Sequence, residues 1–165
     1  MTLLDDPSSA LRAGMRRLAA SVCVITAVDS SGQRQAMTAT AVTSVSDDPA
    51  SLLVCINRQA NLHDVIAQGG RFAVNVLSAD QSELSALCAS GEPGEARFVT
   101  GVWGDANGLP YLRDAQAVFF CNTARQITHG THLIVIGDID KALVSDEVVN
   151  PLLYADGRYR SLNKE

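Results

Sequence analysis

The feature that most restricts the fold of this chain is the shortness of the links between its β-type runs. "SVCVITAV" passes into "QRQAMTATAVTSV" through the four residues "DSSG", and "SDDP" separates that run from "SLLVCI". Further on, "AVFFCNTARQIT" and "THLIVIGDIDKALV" meet at "HG", and "PLLYADGRYRSL" turns about Asp156-Gly157. Links this short join antiparallel neighbours, because a parallel crossover needs a dozen residues or more. About seven strands are expected, and an antiparallel sheet of that size loses its exposed edges by closing into a barrel. The pattern therefore predicts a mainly β protein with a few short flanking helices.

Three helices are expected beside the strands. "SSALRAGMRRLAAS" sets Leu11, Met15 and Leu18 at i, i+4 and i+7, with Ser8 or Ser9 as its cap. "NLHDVIAQGG" reads as a short helix capped by Asn61, with Leu62, Val65 and Ile66 on one face and Gly69-Gly70 as its stop. "SADQSELSALCASG" opens with Ser78 three residues ahead of Gln81, a capping-box spacing, and carries Leu84, Leu87 and Cys88 on one side. "SLLVCI" is apolar on both faces and belongs in the middle of the sheet, and "RFAVNVL" is a further strand. The stretch 92–114, rich in Gly, Pro and charge, reads as a long surface excursion anchored by Phe98, Trp103 and Tyr111.

Composition excludes several functions. With 165 residues and 47% hydrophobic content, the chain suits one domain over 1–165, with a core of about 11–162. The net charge is −5 and the longest basic run is the pair Arg16-Arg17, so no nucleic acid partner is expected. No stretch approaches the roughly 18 apolar residues of a membrane helix, and the start "MTLLDDPSSA" is acidic where a secretory signal is basic. The expectation is a cytoplasmic protein without a membrane partner. Cys23, Cys55, Cys88 and Cys121 lie more than thirty residues apart, and three of them sit in apolar runs where a thiol is a small core residue. His129 and His132 flank a Gly turn with no ligand-spaced Cys or acid, so no metal is expected. Nucleophile elbows, phosphate loops and H-E-x-x-H are missing.

Two stretches point to a ligand. From Thr38 to Val45, in "AMTATAVTSVSDDP", every side chain is small or β-branched. β-branching suits a pleated strand, but the small side chains also leave room for something flat against the backbone. The loop-to-helix junction "CINRQANLHDVI" brings Asn57, Arg58, Gln59 and Asn61 to a helix start, a place that can hold a phosphate or can be an ordinary helix cap beside a solvated Arg. Together they fit a planar, phosphorylated cofactor, with its ring along Met37 to Thr40 and its phosphate near Arg58 and Asn61.

The blocks "MTATAVTSVSDDPASLLVCIN", "GRFAVNVL", "ARF…GVW", "GTHLIVIGDI" and "PLLYADGRYR", in this order, closely resemble the flavin reductase family, whose fold is an antiparallel Greek-key split β-barrel, the FMN-binding split barrel. The best-matching subgroups are the reductase components of two-component 4-hydroxyphenylacetate 3-monooxygenases and the pyrimidine-utilisation flavin reductases. The resemblance covers roughly Leu11 to Leu162. It implies a homodimer that uses NADH or NADPH to reduce FMN or FAD, with the reduced flavin passed to a separate oxygenase component. It places Met37, Thr38, Ala39 and Thr40 along the isoalloxazine ring and Cys55, Ile56, Asn57, Arg58, Ala60 and Asn61 at the ribityl phosphate, with Ser44 and His63 in the same cofactor-binding set. Gly130, Thr131 and His132 fall beside the nicotinamide pocket, and Tyr154 and Tyr159 lie close to the site. Gln59, Asn61 and Leu62 stand where many relatives carry Ser or Thr hydroxyls, which leaves FMN or FAD open.

Hydride transfer between two rings needs no protein acid or base, so no catalytic dyad is expected. His132 either orients the nicotinamide carboxamide or ribose, or is a barrel histidine bonded to backbone. Arg58 and Arg97 either meet cofactor phosphates or are solvated at the surface. Tyr159 either closes the site or packs a dimer interface. Two further functions compete: a flavoprotein that holds FMN as a sensor or electron carrier without pyridine nucleotide, and a cofactor-free barrel that acts as an interaction module.

Overall fold

The computed structural model describes residues 3–92 and 94–162. Helix α1 (Pro7–Met15) leads into β1 (Ala20–Ser21) and β2 (Cys23–Val28), which turns into β3 (Arg34–Ala39). After β4 (Val42–Asp47) and β5 (Ala50–Asn57) come α2 (Asn61–Ala67), β6 (Arg71–Val76), α3 (Ser82–Ala89) and a 3-10 turn over Gly94–Phe98. The hairpins β7 (Trp103–Ala106) with β8 (Leu109–Leu112), β9 (Ala117–His129) with β10 (His132–Val144), and β11 (Leu153–Ala155) with β12 (Arg158–Arg160) complete the chain. Every strand pairing is antiparallel. The mainly β expectation holds, but the strands sort differently: the run read as one strand splits into β3 and β4 of a seven-stranded main sheet, and the expected β11–β12 hairpin joins β1 in a separate sheet.

That sheet runs β3-β2-β6-β9-β10-β5-β4, so β3 and β4 sit at opposite edges although only Thr40 and Ala41 separate them in the chain. Drawn flat, the two edges would lie about 29 Å apart. Three Cα–Cα steps from Ala39 to Val42 reach about 11 Å. The sheet must therefore roll up until its edges meet. β3 and β4 are not hydrogen-bonded to each other, and the seam between them stays split.

Both faces of the central strands are buried, in two separate cores. Cys23, Ile25, Ala27, Leu52, Val54, Ile56, Phe72, Val74, Leu133 and Val135 fill the barrel, and α2 closes it with Leu62 and Ile66. The alternate residues Val22, Val24, Ala73, Val118 and Phe120 point outward and pack under α3, the 3-10 turn and the β7–β8 hairpin. At Gly137 on β10 a side chain would meet the Phe72 ring at 2.5 Å and Cys121 Cβ at 2.9 Å, so glycine leaves the room that Phe72 occupies.

The stretch 92–114 departs from the sequence reading. It is a built unit, with Phe98, Leu109 and Leu112 in the outer core and Trp103 against Phe98 at 4.6 Å between ring centres. Its turn is Asn107-Gly108, with φ of 55° and 82°, the left-handed pair that a two-residue hairpin asks for. Asn75, fully buried, fastens this hairpin to the barrel: its Nδ2 donates to Val24 O at 2.9 Å and its Oδ1 accepts from Leu112 N at 2.8 Å. Thr26 adds a hydroxyl bond to Pro110 O.

The helix caps also differ from expectation. Asp6 caps α1 through its carboxylate, which accepts from Ser9 N at 2.8 Å and is held below the usual carboxylate range by Ser9, first through its hydroxyl and then through this backbone bond. Pro7 takes the first helical position, where the missing N–H costs nothing, so neither Ser8 nor Ser9 is the cap. The α1 stripe is not packed on its own chain, since Leu11, Met15 and Leu18 remain 65%, 55% and 58% exposed. In α2 the cap position is Ala60 and Asn61 is already helical. The capping chemistry sits further back, where Asn57 Oδ1 accepts from Gln59 N at 2.9 Å. α3 begins at Ser82, later than the box spacing suggests. Only half of the expected box forms, with Gln81 Oε1 accepting from Ser78 N at 2.8 Å.

Replacing Asn75 with Ala leaves Leu112 N–H buried without its partner. The expected cost is about 2 kcal/mol of folding stability. Urea denaturation of Asn75→Ala beside the parent protein measures it.

Candidate functional site

The residues between the two sheet edges follow from the register. Val22 O accepts from Leu77 N, so the even-numbered residues of β2 direct their backbone groups toward β6. The odd residues Cys23, Ile25 and Ala27 therefore face Ala39, Met37 and Gln35 across the β2–β3 ladder. By the same alternation Arg34, Ala36 and Thr38 direct theirs off the open edge of β3. Two of these groups have side-chain partners: Arg34 N donates to Glu95 Oε1 at 3.3 Å, and Ala36 O accepts from Arg97 Nη1 at 2.5 Å. Beyond them the edge runs through Thr38 into the Thr40-Ala41 kink, where Ala39 and Ala41 contribute only methyl groups.

A groove of about 730 Å³ opens at this kink, lined by Thr40, Ala41, Thr43, Leu53 and Tyr154, and by Arg12 and Met15 of α1 with the Arg16 that caps its end. A second hollow of about 430 Å³ adjoins it across Thr40 and reaches Ser44, Ser51 and Phe119. Cys55 N donates to Ala41 O at 3.1 Å, which fixes the kink beside β5. Leu53, Cys55 and Asn57 are half-buried while Leu52, Val54 and Ile56 between them face the barrel interior. Across the sheet Asn57 is paired with His132, and Cys55 with Ile134. Arg58 N donates to Thr131 O at 2.9 Å, which draws the loop after β5 to the turn between β9 and β10. Met37 packs on the barrel core and α2 lies against β3, so Ala60, Asn61 and His63 come to the same end of the barrel.

The structure thus gathers most of the sequence-predicted residues but sorts them into different roles. Thr40, Ser44 and Tyr154 line the two hollows. Arg58, Asn61, Gly130 and His132 are exposed at the far end, and His132 Nδ1 lies 2.9 Å from Thr131 Oγ1. Ile56 and Ala39 turn inward and offer only backbone. His63 pairs with Asp64 at 2.9 Å. Thr38 donates its hydroxyl to Ser85 O at 2.7 Å, and Tyr159 lies with its hydroxyl 2.9 Å from Ser85 Oγ while its ring packs on the outer core.

Arg97 is a correction to the sequence reading. It is 6% exposed, its guanidinium donates to Ala36 O and to Ser90 O at 2.7 Å, and its Nε has no partner. Ser90 ends α3, where carbonyl groups accumulate negative partial charge that suits a cation. Arg97 is therefore an internal strut between α3 and β3, neither a surface arginine nor one that reaches a phosphate. Ser85 and the α1 side of the groove lie outside the predicted site. A serine inside an apolar helical stripe is the only trace of Ser85 in the sequence.

The flavin reductase like domain family matches residues 15–163. The reductase component of an FADH2-dependent resorcinol hydroxylase from Rhizobium sp. (strain MTP-10005) is 43% identical over 150 residues, covering 90% of this chain and 83% of that protein. An NADH-dependent FMN reductase of Variovorax paradoxus is 37% identical over 157 residues, covering 94% and 86%. The solved structure of an NADH:FAD oxidoreductase from Streptomyces globisporus superposes with a TM-score of 0.89 at 30% identity, covering 100% of this chain and 99% of that one. The chain belongs to the flavin reductase like domain family. The split barrel expected from the sequence is the fold of this flavin reductase.

Among the described residues no three His, Cys, Asp or Glu side chains converge as a metal site would require, and no helix is long and apolar enough to cross a membrane. Burial pushes the thiols of Cys23 and Cys121 up to about 12 and that of Cys88 to about 11, the last partly opposed by Arg97. These three stay neutral at physiological pH, and only thiolates react readily. Maleimide treatment of the native flavin reductase at pH 8 should give at most one adduct per chain, at Cys55, and four after denaturation. Mass spectrometry of the digested protein reads this directly.

Proposed function

We propose that this flavin reductase oxidises NADH with FMN or FAD bound in the Thr40 groove, and releases the reduced flavin to a separate oxygenase component. The observation that carries the placement is the open β3 edge: an unpaired stretch of backbone, poor in side chains, with a hollow on each side of Thr40. A tricyclic ring with a polar pyrimidine edge fits such a floor, because strand amides and carbonyls supply donors and acceptors in a row. The phosphate end lies toward Asn57, Arg58 and Asn61. Leu62 is buried in the barrel plug, so its side chain offers nothing to the phosphate, and Arg58, Gln59 and Asn61 are the exposed polar side chains of this junction that can meet it. The Rhizobium and Streptomyces relatives are named for FAD and the Variovorax relative for FMN, and both flavins share this phosphate.

When bound, the flavin supplies the ring that accepts a hydride from the dihydronicotinamide. The chain's own residues bind and orient. Thr38 is locked to α3, Ala41 is locked to β5, and the ring floor between them is rigid before any ligand arrives. His132, exposed at the β9–β10 turn beside Asn57, is the residue assigned in this reading to the nicotinamide carboxamide or ribose. Holding two rings in a productive stack can lower the barrier by about 7 kcal/mol or more, without any proton relay.

A homodimer is part of the proposal. Leu53, Ile134 and Ile136 are half-buried on one outer sheet face and Ile127 is 56% exposed there, a patch that a second copy would cover. Four unpaired cysteines suit a reducing, cytoplasmic setting.

Substituting Thr40 with Leu fills the floor. Flavin-dependent NADH consumption, followed at the NADH absorbance band, should fall by about 100-fold with an unchanged circular dichroism spectrum. A folded Thr40→Leu protein of normal rate would place the ring elsewhere, and a parent protein that binds FMN but leaves NADH intact would be an electron carrier instead. An Ile127→Asp variant should move the protein toward monomer in light scattering.

A further inference from the structure

We propose that Ser85 is a positioning residue of the flavin groove, holding its Tyr154 wall in register with its β3 floor. This rests on the placement of flavin at Thr40. Ser85 is fully buried on α3 and lies among Leu84, Cys88 and the outer core. A hydroxyl in such surroundings costs stability unless it is bonded. Its partner is the Tyr159 hydroxyl at 2.9 Å, while the Ser85 carbonyl accepts the Thr38 hydroxyl at 2.7 Å. Tyr159 stands across the β11–β12 ladder from Tyr154, with the two rings edge to face at 5.6 Å. Tyr154 is 40% exposed and lines the groove with Thr40 and Ala41.

A continuous path therefore runs from floor to wall: Thr38, Ser85, Tyr159, Tyr154. The hairpin's other ties do not reach β3: β11 pairs with the two residues of β1, Leu152 just before it is bonded through its backbone to Val22 and Leu77, and Asp156 N donates to Arg16 O at 3.1 Å beside a solvent-screened Arg16–Asp156 side-chain contact at 3.5 Å. The Ser85–Tyr159 bond is the side-chain bond that sets the hairpin against the helix carrying Thr38's acceptor. Loss of that bond releases the Tyr159 ring against which the Tyr154 ring packs, so the Tyr154 side chain gains freedom and the flavin ring it borders is held less well.

Ser85→Ala is a clean test, because alanine favours the helix and the bond from Thr38 goes to the backbone carbonyl, which the substitution keeps. Flavin Kd from fluorescence quenching should rise about three- to tenfold in Ser85→Ala and in Tyr159→Phe, as expected for one hydrogen bond. The double variant should be no worse than either single one, because both remove the same bond. Unchanged flavin affinity in both single variants, with only the melting temperature lowered, would show a purely structural bond and overturn the proposal. Additive losses in the double variant would overturn it too. If the parent protein neither binds flavin nor consumes NADH, the functional reading fails first and takes this proposal with it, before any variant is compared.

Discussion

Thr40 and Ala41 are the link on which the barrel depends most. Two residues join strands that the pairing order puts at opposite edges of a seven-stranded sheet, so closure is a matter of chain length before it is one of packing. Closure is nevertheless incomplete. A two-residue link can close a laddered hairpin, as Asn107-Gly108 does, but here β3 pairs only with β2 and β4 only with β5, so no ladder crosses the seam. The seam is therefore a strand edge with unused backbone groups, and in water such an edge must be covered, charged or occupied.

The outer core divides that edge into a covered part and a free part. Glu95 and Arg97, both on the 3-10 turn, occupy the Arg34 and Ala36 positions, and α3 takes the Thr38 hydroxyl. That turn is held by Phe98 in the core and by the β7–β8 hairpin, which Asn75 and Thr26 fasten to the barrel. A buried arginine without a carboxylate partner is costly, and two carbonyl acceptors offset only part of that cost. The expense is intelligible if the purpose is to hold β3 still: a bidentate, planar donor fixes a strand to a helix end more rigidly than an apolar contact does.

What the sequence revealed and what it hid have a common physical basis. Periodicity and turn chemistry are local, so the antiparallel hairpins, the plugging face of α2 with Leu62 and Ile66, and the Asp156-Gly157 turn were all legible. The Asn107-Gly108 turn was equally local, but Pro, Gly and charge around it read as loop; the strands are only four residues each, and their burial comes from the barrel they lie on. Partnering is not local. Nothing near Arg97 in the chain says that it folds inward onto Ala36, and nothing near Ser85 says that a tyrosine 74 residues away will meet it. The break of one apolar run into β3 and β4 was hidden for the same reason, since it depends on which distant strand each half will pair with.

Within one chain, before any second copy meets the Leu53 patch, the proposed flavin site is open, which suits a flavin that comes and goes. Thr40, Arg58, Asn61 and His132 are exposed, and the groove wall made by Tyr154 is a short hairpin and not a lid over a cavity. A protein that must retain its flavin through many cycles gains from burying the ring, because affinity for a planar ligand grows with the apolar surface removed from water. One that loads oxidised flavin, meets a nicotinamide on the exposed face and releases the product gains from the opposite arrangement: a rigid floor that fixes orientation, few walls, and weak hold on the tail. The rigid part here is the floor, through the bonds at Thr38 and Ala41, and the yielding part is everything above it. That division suits transfer between two diffusing rings better than storage of one.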